Sequence, residues 1–339
     1  MSSIPLQVVT APPIFGPPAP AEPVAEGRFG FVKPEHSEFP PILIIAVTNL
    51  CDMACIHCAH PVIKKLPDYK GTFMPPEVHT RIVEETKQFK DQLFVFRYAA
   101  DGESLLHPKF IDFVEQAKAA GIGPIDLTTN AMTLTEEKMR RLLQAPIDVI
   151  DVSLDGFSKE TYEKIRLRGK FDVVTANARR LSEMRRELGS PTKLMVSIIE
   201  QKEALAEIEA FKAYWSEYVD EVLVRPLNDD LGLVQASEFY HEPDVKRWPC
   251  PQFWKRVTIT WNGNVRFCVE DWRNHGVVGN IMEQSIQDIW KGPLYEKFRE
   301  AHATGRWGDM TMCAPCRDWQ HMKWDHGFEK AVNKILNRP

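Results

Sequence analysis

Residues 47–58 read Val47-Thr48-Asn49-Leu50-Cys51-Asp52-Met53-Ala54-Cys55-Ile56-His57-Cys58, three cysteines spaced C-x3-C-x2-C on a loop that follows an apolar run at 42–47. Three soft thiolates so close together suit three irons of a [4Fe-4S] cube and leave the fourth iron without a protein ligand. A structural zinc site closes with four ligands, and no fourth cysteine lies nearby in sequence, so the open iron is the better account of the loop. Seven cysteines make a poor disulfide framework and fit a reducing compartment, where thiols stay free for metal. The other four, Cys250, Cys268, Cys313 and Cys316, fall in the last third as C-x17-C-x44-C-x2-C, so a set of three and a set of four use every cysteine. Four thiolates close either a [4Fe-4S] cluster suited to electron transfer or a zinc ion, and ligand number fits both.

Outward from the first loop, short β-branched or apolar runs at 42–47, 93–97, 125–128, 149–154, 193–199 and 221–224 alternate with stretches of helical period at 76–90, 108–120, 135–143, 171–187 and 203–218. That alternation predicts βαβ units with right-handed crossovers, an α/β fold whose six parallel strands form an open arc or partial barrel. A sixth helix has no clear place in the pattern. Residues 1–40, rich in proline, predict an extended and poorly packed arm, and 41–235 the partial barrel. Beyond 236 the alternation ends and eight of the nine tryptophans occur, which marks 236–330 as a second, smaller domain. Within it Asn262-Gly263-Asn264 predicts a hairpin turn between strands at 257–261 and 265–267, and 285–302 reads as one amphipathic helix. A net charge of -5 offers no basic field for nucleic-acid phosphates, and no apolar run reaches the ~20 residues that span a bilayer. The N-terminus lacks a signal-peptide pattern, so a cytoplasmic protein with neither a nucleic-acid nor a membrane partner is expected.

The cysteine loop at a strand end resembles the radical SAM superfamily, and the resemblance runs from about residue 42 to 320. It implies that S-adenosylmethionine (SAM) binds through its amino and carboxylate groups to the open iron of a [4Fe-4S] cluster held by Cys51, Cys55 and Cys58. His57 matches a position that packs by the adenine. Asp101-Gly102-Glu103 resembles a Gly-Gly-Glu segment, with Gly102 close to the ligand and Glu103 accepting from its ammonium; Asp101 stands where the family has a first glycine. Ser153-Leu154-Asp155-Gly156 is similar to a ribose and carboxylate contact segment, in which Ser153 and Asp155 are the contact residues. Arg166 or Arg168 offers a guanidinium for the SAM carboxylate, and Asn130 and Ser197 complete the expected set.

Gly263-x4-Cys268, Gly279-Asn280-Ile281, Ile289-Trp290 and the final C-x2-C look like the SPASM/twitch extension of this superfamily, in the shorter form with one auxiliary [4Fe-4S] cluster on Cys250, Cys268, Cys313 and Cys316. The spacing is similar to the 2-deoxy-scyllo-inosamine dehydrogenase branch of butirosin biosynthesis. Such kinship implies hydrogen abstraction by a 5′-deoxyadenosyl radical and oxidation of a secondary alcohol on a small molecule, a sugar or aminocyclitol. Arg225 is expected to orient the substrate and Glu270 to bind its hydroxyl or ammonium, with a flavodoxin or ferredoxin as reductant. Three other functions compete. A maturase would modify a peptide, although the N-terminal arm is too short for a leader-binding domain; an epimerase needs a free thiol, and none is spare; an Fe–S carrier or zinc module leaves the open-iron motif without a purpose. Anaerobically reconstituted protein should bind about eight irons, and about four once Cys51, Cys55 and Cys58 are alanine. Iron analysis showing four or fewer in the parent, with stoichiometric zinc, would remove the second cluster.

Overall fold

The computed structural model describes residues 13–234 and 245–338. The expected boundary at 235–236 and the first twelve residues of the arm lie outside them. Six parallel strands follow the sequence pattern: β1 (Ile42–Ile45), β2 (Val95–Tyr98), β3 (Ile125–Thr129), β4 (Val149–Ser153), β5 (Lys193–Glu200) and β6 (Glu221–Pro226). The crossovers carry α1 (His60–Ile63), α2 (Pro76–Lys87), α3 (Phe110–Ala119), α4 (Glu136–Gln144), α5 (Lys159–Ile165), α6 (Phe171–Leu188) and α7 (Ile208–Trp215). The short α1 and α5 carry too few turns for a periodic pattern; α5 is marked only by its N-cap, where the Ser158 hydroxyl accepts from Thr161 N.

Strand residues alternate between two environments. Leu43, Ile45, Phe96, Leu127, Ile150 and Val196 face the helices and share one core with Ile82, Val114, Leu142 and Phe211. Ile42, Ile44, Val95, Val149, Met195 and Leu223 point the other way and cluster with Phe328, Val332 and Ile335 of a C-terminal helix, numbered α11 below (Gly327–Ile335). Six strands laid flat would span roughly 24 Å, more than twice the diameter of one helix, so strands from β1 to β6 share that helix only because the sheet curls around it. This C-terminal helix lies on the opposite face of the sheet from the crossover helices, filling the inside of the curl, and is not a sixth crossover helix.

The second domain is not separated from the first sheet. After α8 (Gln252–Lys255), strand β7 (Arg256–Ile259) pairs parallel with β1, and β8 (Asn264–Arg266) and β9 (Val277–Asn280) follow antiparallel. The strand order is β6-β5-β4-β3-β2-β1-β7-β8-β9. The predicted hairpin is present, with Gly263 at φ +83° in its turn. The single helix expected at 285–302 is two, α9 (Ile286–Lys291) and α10 (Pro293–Ala303). Pro293 lacks an N–H and forces Gly292 into an extended conformation, ψ 161°, which ends the first helix. The described part of the arm is packed: Gly16 N donates to Asp309 O and Glu22 N to Gly305 O, and Phe15 stacks on Phe298 at 5.4 Å. Proline leaves few backbone donors, and four of them, on Gly16, Ala19, Glu22 and Ala25, are spent on the C-terminal domain.

Asp101 joins the barrel to β8. Its Oδ1 accepts from Arg266 Nη2 at 2.6 Å, and both side chains are buried. The positive φ falls on Ala100 (+83°), so an aspartate is accommodated where a glycine was expected. Arg266→Met strands the Asp101 charge and should cost about 3–5 kcal/mol, read from the denaturant midpoint, and adding Asp101→Asn should restore much of it. Equal stability of single and double variants would remove the pair as a tie between the domains.

Candidate functional site

The first cysteine loop leaves β1 and is clamped on two sides. Ala54 N donates to Leu167 O and Ile56 N to Ile165 O, both at 2.9 Å, so the loop pairs with the end of α5. On the other side Glu103 N donates to Leu50 O at 2.8 Å, and a Cβ at Gly102 would lie 2.4 Å from that oxygen and 2.8 Å from Thr48 O. Only glycine permits so close an approach. Tyr69 OH (2.7 Å) and His60 Nε2 (2.9 Å) both donate to Asn49 O. Burial pushes the Cys51 thiol up to about 12 and Cys58 well above its usual range, with Cys55 raising both further. Thiols brought together in a dry loop reach the thiolate form only beside a cation, which a bound iron cluster supplies.

Around this loop the expected SAM residues divide into a tightly bonded group and an open one. Glu103 caps the 104–106 turn by accepting from Leu105 N (3.0 Å), and it also accepts from the Thr129 hydroxyl (2.8 Å) and Asn130 N (2.8 Å). Burial raises its pKa in spite of these donors. Asn130 Nδ2 donates to Asp52 Oδ1 at 2.7 Å, tying the end of β3 to the cysteine loop. Asp155, at φ +53°, accepts from Arg166 Nε (2.8 Å), Arg166 Nη2 (2.5 Å) and Ile199 N (2.6 Å). His57 Nε2 lies 3.4 Å from Asp155 Oδ2, while its Nδ1 faces Gln201 Nε2 at 3.2 Å. Burial pushes His57 down to about 4, so it is neutral; burial would raise Asp155, but Arg166 and His57 hold it below its usual range. Arg166 and Asp155, two separate expectations from sequence, are thus partners of one another. Arg168, at φ +71°, is exposed. Ser153 and Ser197 are register partners at the C-terminal ends of β4 and β5, on the inner face of the curled sheet.

The second cysteine set converges as the sequence pattern requires. Cys250, Cys268, Cys313 and Cys316 line one cavity of about 30 Å³ with Gln252, whose Nε2 donates to Cys268 Sγ at 3.5 Å. Burial raises all four thiols, Cys313 to about 12, and Arg247 opposes the rise at three of them. Among the described residues no three His, Cys, Asp or Glu side chains approach closely enough for a single metal ion. Thiols spread around a cavity suit a multi-iron cube better than zinc.

Inside the curled sheet lies the lumen, a cavity of about 210 Å³ reached by Arg97, Arg225, Asn228, Arg256, Glu270 and Phe328. Glu270 and Met322 line both this cavity and that of the four cysteines. Asn228 Nδ2 donates to Glu270 Oε1 at 3.0 Å; Asp230 lies beside it, raised well above a normal carboxylate by burial and by Glu270, and accepts from Ala59 N at 3.2 Å. Arg225 shares Asp151 with Arg97, and Arg97 also meets Asp126 Oδ1 at 3.1 Å. Asp230, Asn228 and the Arg97–Asp126–Asp151 group are positions in and around the lumen that the sequence reading missed. Charged residues inside the apolar runs Val95–Tyr98, Ile125–Thr129 and Val149–Ser153 were the available signal.

Residues 45–210 match the radical SAM superfamily, and residues 250–338 match the SPASM iron-sulfur cluster-binding domain. The tungsten-containing aldehyde ferredoxin oxidoreductase cofactor-modifying protein of Pyrococcus furiosus is 22% identical over 76% of this chain and 82% of its own length. The mycofactocin maturase MftC of Mycobacterium tuberculosis is 25% identical over 53% of this chain, and the match spans 42% of that protein. Among solved structures, BtrN in complex with AdoMet and 2-DOIA aligns with TM-score 0.59 at 18% identity, covering 85% of this chain and 97% of BtrN. SuiB of Streptococcus suis bound to precursor peptide SuiA gives 0.64 at 15% identity, covering 86% and 75%. These likenesses agree on the fold. Gly102→Ala should displace the cysteine loop at a cost of about 1–3 kcal/mol, with iron lost from the first site and retained at the second. Unaltered iron content and melting temperature would show that the loop does not depend on that approach.

Proposed function

For a chain made of a radical SAM domain and a C-terminal SPASM domain, which bind SAM and [4Fe-4S] clusters, we propose an oxidoreductase acting on a substrate held in the barrel lumen. The observation that carries this proposal is the wall formed by Glu270 and Met322, which leaves a lumen substrate adjacent to the closed cysteine cavity. Cys51, Cys55 and Cys58 hold the first cluster, and Cys250, Cys268, Cys313 and Cys316 the second. Bound there, the cofactors supply hydrogen abstraction from an unactivated C–H bond and a one-electron acceptor.

The side chains supply position and proton handling. Gly102, Glu103 and Asn130 shape the floor against the cysteine loop. The Arg166–Asp155–His57 group fixes the adjoining wall, Ser153 and Ser197 present hydroxyls to the ribose, and exposed Arg168 meets the SAM carboxylate. Arg225, anchored by Asp151, orients a substrate hydroxyl, and Glu270 Oε2 takes its proton while Asn228 holds Oε1. Asp230, neutral beside it, keeps that carboxylate from facing a second full charge. A secondary alcohol of a sugar or aminocyclitol fits these polar groups, and a flavodoxin or ferredoxin serves as electron donor.

A peptide substrate is the second reading, favoured by a groove of about 510 Å³ between β6 and residues 320–328 that shares Arg225, His326 and Phe328 with the lumen. A chain could enter there from the side. MftC and SuiB, by their names and bound peptide, point the same way.

Replacing Cys313 and Cys316 by serine should lower oxidised product per 5′-deoxyadenosine by roughly tenfold or more, with SAM cleavage far less affected. Mass spectrometry of reactions with aminosugars, aminocyclitols and peptides should show loss of two hydrogens. Unchanged mass with solvent deuterium at carbon would mean epimerisation, and a cross-linked peptide would mean a maturase.

A further inference from the structure

One guanidinium of the lumen stands apart from the ion pairs around it. Arg97 and Arg225 are neutralised by Asp126 and Asp151, and Lys255 Nζ meets Glu329 Oε2 at 2.7 Å. Glu270 stands at the opposite end of the cavity, held by Asn228. Arg256 lines the same cavity, yet among the described residues it has no carboxylate within ion-pair distance, and its buried Nε has no hydrogen-bond partner. Its direction is fixed by the alternation of β7: Val257 and Ile259 belong to the helix-facing core, so Arg256 and Thr258 face inward. The field at that end is positive, since His326, after burial, is pushed down to about 3 by Arg256, Arg225, Arg97 and Lys255.

We propose that Arg256 binds an anionic group, carboxylate or phosphate, of the substrate, and so selects acidic substrates over neutral polyols. The inference rests on the lumen being the substrate site, as proposed above. Arg256 pairs with Ile42 at the N-terminal end of the sheet, three residues below the level of Ile45 and Tyr98. At about 3.3 Å per residue this is roughly 10 Å. An anion seated on Arg256 therefore places the far end of a small molecule near the level of Ile45 and Tyr98, in the cavity that Glu270 also lines. A neutral sugar or a cationic aminocyclitol would leave the guanidinium without a partner; a sugar acid, a sugar phosphate or an acidic peptide side chain would satisfy it.

The test is thermal melting of the anaerobically reconstituted full chain titrated separately with inorganic phosphate and with acetate, ionic strength being held constant with sodium chloride. The melting temperature should rise saturably with at least one of the two, which distinguishes phosphate from carboxylate. Arg256→Gln should weaken the apparent affinity by roughly tenfold or more, and Arg273→Gln, at an exposed position outside the lumen, should not. Arginine labelling of the parent with 2,3-butanedione and peptide mapping gives a second readout: Arg256 should be modified while ion-paired Arg97 is spared, and phosphate should protect it. No saturable response, an unchanged response in Arg256→Gln, or labelling of Arg256 unaffected by phosphate would each overturn the proposal. Iron content measured on the same samples separates the outcomes, because full iron without an anion response sinks only the anion site, whereas an anion response without iron sinks the radical SAM reading of the centre.

Discussion

Arg97 sits inside the curled sheet with its guanidinium 3.8 Å from the centre of the Phe328 ring and its nitrogens against Asp126, Asp151 and Thr128. A charge this deep is tolerated only if it is matched on every side, and the matches come from β3, β4 and the C-terminal helix. Burial pushes Asp126 up to about 6 even beside Arg97, which shows how dry the position is. The sheet has to curve to bring these groups together, and the helix has to fill the space beneath. The lumen and the groove beside it follow from that closure.

The reactive end is built on the same frame by backbone contacts more than by side chains. Strand β1 delivers the cysteine loop; the loop is then held by the segment after α5 and by the Gly102 turn after β2. Ion pairs at the edge of the site, Arg166 with Asp155 and Arg266 with Asp101, set the walls at fixed distances. The C-terminal domain extends the barrel sheet through β7, so the four-cysteine cavity has a rigid relation to the lumen. For an electron to pass between a substrate and a second cluster, such fixed proximity matters more than any one side chain.

BtrN and SuiB share this frame with the chain at 18% and 15% identity. In this chain Arg256, Arg225, Glu270 and His326 line the lumen.

The sequence by itself determined the βα alternation, the six parallel strands, the three-plus-four division of the cysteines and the hairpin at Asn262-Gly263-Asn264, because these depend on local period and spacing. It also marked Glu103, Asp155 and Arg166 as site residues, but their partners lay out of reach, since a hydrogen bond between β2 and β3 or an ion pair across a loop leaves no periodic trace. Only the tertiary structure decided that β7 joins β1, that the helix Gly327–Ile335 fills the inside of the curled sheet, and that Gly292-Pro293 splits one helix into two. It alone placed Glu270 between two cavities and left Arg256 unpaired. The reason is physical: spacing along the chain sets which residues share a face, whereas charge balance and burial depend on what other segments bring to that face.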